Sequence, residues 1–81
     1  MADKITFLKL QPGEWNTEQR VAGYALIKIR KLGAIHAIYG VKDNGVKELL
    51  DERGKLRDAK AAVRVIAEKG PEAVAPWAND V

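Results

Sequence analysis

The 81-residue chain contains no cysteine and no serine, a single histidine and three prolines. Without cysteine there is neither a disulfide framework nor a thiolate metal site. A single domain this close to the lower size limit for a self-sufficient core must therefore be held by packing or by self-association. The same absence suits a reducing compartment. Without serine or cysteine, nucleophilic catalysis has only the hydroxyls of Thr6, Thr17, Tyr24 and Tyr39 to draw on. The lone His36 falls in an expected strand, and a metal site built on it would lean on carboxylates, for which no calcium-loop or His-Glu-x-x-His spacing occurs. Phosphate-cradling glycine patterns are missing as well. The apolar-rich stretch Ile5 to Leu10 is far shorter than a secretory core segment, and no run approaches the ~18 apolar residues of a membrane span. The expectation is a cytoplasmic, non-membrane protein, not an enzyme, with no cofactor and no metal.

What is present is a folded composition, 47% hydrophobic and 31% charged. The net charge of +3, from 14 basic and 11 acidic residues, permits an anionic partner without demanding one.

Lys4 to Leu10 is rich in strand formers and stops at Gln11-Pro12-Gly13, a turn signal. After the polar run Asn16 to Arg20, the segment Val21 to Lys31 alternates, with Val21, Ala25, Ile27 and Ile29 on one face and Tyr24, Leu26, Lys28 and Arg30 on the other. Leu32-Gly33 turns the chain into a third strand in which Ile35, Ala37, Tyr39 and Val41 share a face, assigned to the side of Ile27 and Ile29. Asp43-Asn44-Gly45 is the strongest hairpin turn in the chain. Residues 46–51 read either as a fourth strand, favoured by the turn and the short length, or as a helix, favoured by Glu48, Leu49 and Leu50; the strand is adopted.

From Leu56 the period becomes helical. Leu56, Ala59, Val63, Ile66 and Ala67 form a stripe, and Gly70-Pro71 ends it. The expected fold is α+β over residues 1–70, an antiparallel meander sheet of three to four strands with one C-terminal amphipathic helix packed on one face, followed by an irregular tail over 71–81.

Gly33-Ala34-Ile35-His36 and the run Gly54 to Ala62 resemble parts of the double-stranded RNA-binding domain, over less than half the chain. The likeness stops there. No helix is expected ahead of the strands, the aromatic after the histidine falls at another spacing, and Asp58 stands at a basic position. The shared pattern reads as convergence on a sheet followed by an alanine-rich helix.

Two surfaces then suggest function. One helix covers one sheet face, which leaves Tyr24, Leu26, Lys28, Arg30, His36 and Ile38 on the other, unless the tail with Trp77 lies over them. That face would bind a protein partner or a second copy. On the helix back, Arg57, Lys60 and Arg64 recur at i, i+3 and i+7 with Lys55 ahead of them, a stripe suited to phosphate backbone but broken by Asp58 and Glu68. The reading adopted is a small non-enzymatic regulator or inhibitor acting by protein-protein contact, similar in type to accessory proteins of bacteriophages; the alternative is nucleic-acid binding.

Overall fold

The computed structural model describes residues 5–74. Five strands run in chain order across one antiparallel sheet: β1 (Phe7–Gln11), β2 (Glu14–Thr17), β3 (Leu26–Leu32), β4 (Ile35–Val41) and β5 (Lys47–Arg53). One helix, α1 (Leu56–Lys69), follows, and a 3-10 turn over Pro71–Ala73 ends the described chain. The α+β meander with a single packed helix is as the sequence predicts, with one strand more. Of residues 46–51, all but Val46 fall in a strand, β5, and not in a helix.

The additional strand is β2. Its outward residues Glu14 and Asn16 are polar, and its inward pair is Trp15 and buried Thr17, so no apolar alternation marks it. Pro12-Gly13 folds it back on β1, with Gly13 at φ +83°, a value that costs glycine nothing. Thr17 is tolerated inside because its hydroxyl is used twice, accepting from the Ile27 N–H at 2.9 Å and donating to the Gln19 carbonyl at 2.9 Å.

β3 starts at Leu26 and not at Val21. Val21 to Tyr24 is a tight turn closed by Tyr24 N–H to the Val21 carbonyl at 2.8 Å, with Ala22 at φ +51° and Gly23 at φ +86°. Two successive positive φ values are the signature of a type I′ turn.

The link between β3 and β4 decides which residues are inside. Gly33-Ala34 pairs Leu32 with Ile35, and stepping outward pairs Lys31 with His36, Ile29 with Ile38 and Ile27 with Gly40. Directly opposed residues in an antiparallel pair share a face. His36 and Ile38 therefore lie on the side of Ile27 and Ile29, whereas Ile35, Ala37, Tyr39 and Val41 lie on the opposite side, the reverse of the face assignment drawn from periodicity. The core on that side joins Ile27, Ile29, Ile38 and Leu50 to Ala59, Ala62, Val63 and Ile66 of α1. Ala62 takes the inward position expected of Ala67, which is exposed. Val74 is buried in the same cluster, so the packed unit runs past Gly70; Trp77 lies outside the described residues.

At one end of the core the Tyr24 ring lies flat over Gly40, where a Cβ would come within 2.6 Å of ring carbon. Tyr24 thus caps the helix side of the sheet. Gly40→Ala is expected to destabilise by about 1–3 kcal/mol through overpacking. The loss should shrink in a Tyr24→Ala background, a coupling that urea denaturation of the double-mutant cycle measures. Ala22→Asn, relieving an L-residue of a left-handed backbone for which Asn is better suited, should add ~0.5–1 kcal/mol in the same assay.

Candidate interaction surface

The pairing register maps the helix-free face, which ends at the β3–β4 turn with Leu32 opposite Ile35. One row crosses all five strands as Leu8, Asn16, Lys28, Tyr39 and Leu49; the next runs Gln11, Glu14, Arg30, Ala37 and Glu52; at one end Leu26 and Val41 sit beside Lys47. A bulge at Leu50 turns Leu50 and Asp51 together to the helix side and keeps Leu49 outward. Leu8 and Leu49 are 52% and 41% exposed, large values for leucine, and Tyr39, Val41 and Leu26 are half-buried only by their neighbours.

Lys28, in the middle of the first row, forms an ion pair with Glu14 of the next. The Lys28 ammonium donates to Glu14, and the two side chains are only 12% and 19% exposed. Hydrogen bonds from Lys28 first, then from Gln11 Nε2, hold the Glu14 carboxyl below the usual carboxylate range. Both charges are thereby satisfied inside the chain.

Of the six residues expected on this face, the structure brings together Leu26, Lys28 and Arg30. Tyr24, His36 and Ile38 are on the helix side. Ile38 is fully buried, and His36 is 8% exposed with Nδ1 donating to the Gly54 carbonyl at 3.2 Å and its ring tilted against Trp15. Leu8, Tyr39, Val41, Leu49 and Glu14 belong to the face and were not singled out by periodicity. The two-residue length of the Gly33-Ala34 turn was the signal that would have found Tyr39 and Val41.

The basic helix stripe is partly dismantled. Lys55, Arg57 and Arg64 are exposed and enter no ion pair among the described residues. Lys60 turns aside, its ammonium 5.3 Å from the centroid of the Phe7 ring. The local resemblance to the double-stranded RNA-binding domain does not extend to topology, since a β-hairpin precedes Gly33 and no helix does among the described residues.

At the sheet end near the Val21 to Tyr24 turn, a shallow polar groove of about 590 Å³ is lined by Ala22, Tyr24, Lys42, Asp43 and Glu48. Its groups are already engaged with one another. Tyr24 donates to Glu48 at 2.8 Å, Lys42 pairs with Glu48 at 2.9 Å, and Arg20 is bidentate to Asp43. No group of three or more His, Asp or Glu side chains gathers to hold a metal ion among the described residues, and no helix there is long and apolar enough to cross a membrane. No family model, curated protein or solved structure matches the chain.

Burial first, and the hydrogen bond to Glu48 second, push the Tyr24 phenol up to about 12. A raised pKa in the folded state means that the neutral phenol stabilises the fold. Its contribution is complete below the ordinary tyrosine value of about 10 and is lost as pH rises through the folded value. The wild-type chain should therefore lose stability between pH ~10 and about 12, and Tyr24→Phe should lack that component of the loss. Urea midpoints of the two proteins compared across this interval check it.

Proposed function

We propose that the chain is a non-enzymatic binding protein that acts as a regulator or inhibitor by occupying a surface of a protein partner with its helix-free sheet face. The observation that carries this reading is the apolar group Tyr39, Leu49, Leu26 and Val41, uncovered by α1, with Leu8 at the far edge of the same row across Asn16 and Lys28 and with Lys28 paired to Glu14. Apolar side chains gathered on one sheet face are the usual core of a protein contact, and the charged rim of Arg30, Lys47 and Glu52 suits a non-obligate one. Aromatic Tyr39, between Lys28 and Leu49 in the row, is the natural anchor. The matching partner surface is apolar at its centre and polar at its edge.

A second reading, nucleic-acid contact through the helix back, draws on the exposed Lys55, Arg57 and Arg64, which enter no ion pair among the described residues. With Lys60 over Phe7, the stripe keeps fewer free cations than its spacing promised.

Affinity capture from lysate, with and without nuclease, separates the two. Tyr39→Asp combined with Leu49→Asp is expected to weaken capture of a nuclease-resistant partner at least ~100-fold, with the circular dichroism spectrum unchanged because both side chains are outside the core. Arg57→Glu with Arg64→Glu should leave that capture within about threefold, a rim-charge effect. The opposite pattern, with binding abolished by nuclease and falling steeply with salt, would transfer the function to the helix.

A further inference from the structure

We infer that two copies of the chain pair edge to edge through β1, antiparallel and about a two-fold axis at Leu8, into one continuous sheet. The two sheet edges are unlike. β5 is guarded by the bulge at Leu50 and by Lys47, Glu48, Glu52 and Arg53, devices that discourage strand addition. β1 carries Leu8 and Leu10, 52% and 48% exposed, with Lys9 as the only charge in the strand. It also lies at the margin of α1, which packs chiefly over β3, β4 and β5 and reaches β1 through Lys60 at the Phe7 ring.

Backbone parity narrows how a second copy meets it. Glu18 N–H donates to the Thr6 carbonyl at 3.0 Å, and Thr6 N–H donates to Gln19 Oε1 at 3.1 Å, so the Thr6 peptide groups face β2. Alternation turns those of Leu8 inward as well and leaves the N–H and C=O of Phe7 and Lys9 directed off the sheet. A two-fold pair built on those outward groups is centred on Phe7, on Leu8 or on Lys9. Centring on Lys9 opposes two like charges, and centring on Phe7 sets Leu8 against the polar Thr6. Centring on Leu8 sets Leu8 against Leu8, the closer-packed kind of pair, and Phe7 against Lys9, with all four outward groups of each copy hydrogen-bonded. Phe7 against a lysine repeats the contact that Lys60 already makes with that ring. The same register joins the row Leu8, Tyr39 and Leu49 of one copy to that of the other, making one wider face.

This association needs no partner and is independent of the protein-binding reading, because it is measured on the purified chain. Sedimentation equilibrium is expected to show the mass rising with concentration towards twice the 8.9 kDa of the chain. Leu8→Lys, which opposes two cations at the axis, should weaken the dimer at least about tenfold with unchanged circular dichroism. Because the chain has no cysteine, Leu8→Cys should oxidise to a linked dimer, the ~4.5 Å Cα separation of a non-hydrogen-bonded pair lying within disulfide reach. Leu49→Cys on the guarded edge strand should not. The single-chain mass at every concentration, a dimer indifferent to Leu8→Lys, or equal cross-linking through Leu49→Cys each overturns the inference.

Discussion

Only Gly54-Lys55 separates the end of β5 from the start of α1. So short a link makes the helix begin at the β5 edge and fold straight back across the sheet. The sheet is roughly 19 Å wide at ordinary strand spacing, and the helix is about 21 Å long. Its inward stripe of Ala59, Ala62, Val63 and Ile66 is small enough to settle directly onto Ile27, Ile29 and Ile38. Each of those isoleucines contributes roughly 1.5–3 kcal/mol by leaving water. With one helix so committed, no regular element of the described chain is left for the other face. The short connection at Gly54-Lys55 thus commits α1 to a single face of the sheet.

Local signals made much of this legible. Pro12-Gly13 and Asn44-Gly45 turn the chain where turn chemistry says they must, and the helix begins and ends within the bounds that its 3.6 period and Gly70-Pro71 imply. Long-range parity was not legible from periodicity. β4 is apolar in both phases, with Ile35, Tyr39 and Val41 on one side and Ile38 on the other, so alternation alone does not say which side is inside. A slip of one residue exchanges the faces of a strand, and the two-residue turn at Gly33-Ala34 is what resolves it. β2 was hidden for a different reason. Its inward Thr17 is polar, and its burial is compensated by hydrogen bonds to the nearby Gln19 carbonyl and to the Ile27 N–H ten residues on, which no apolar alternation announces. Lys28 was legible as a face residue but not as half of a nearly buried pair, because its partner Glu14 stands on that unseen strand.

The Glu14 and Lys28 pair shapes what the bare face is able to select. An unpaired charge amid apolar side chains would demand a counter-charge from any partner and would penalise every partner without one. A pair closed within the chain demands nothing, so discrimination on this face falls to shape and apolar fit around Tyr39. The exposed cations lie mainly elsewhere, Lys55, Arg57 and Arg64 on the helix side, set against Asp58 and Glu68. Charges so placed act only at long range and weaken with salt; on the proposed reading they would steer a partner's encounter without contributing to the contact itself. Under the proposed protein-binding function, the two sides of the molecule divide the work of recognition. The helix side would then influence how fast a charged partner arrives, and the apolar contacts of the sheet face how long it stays.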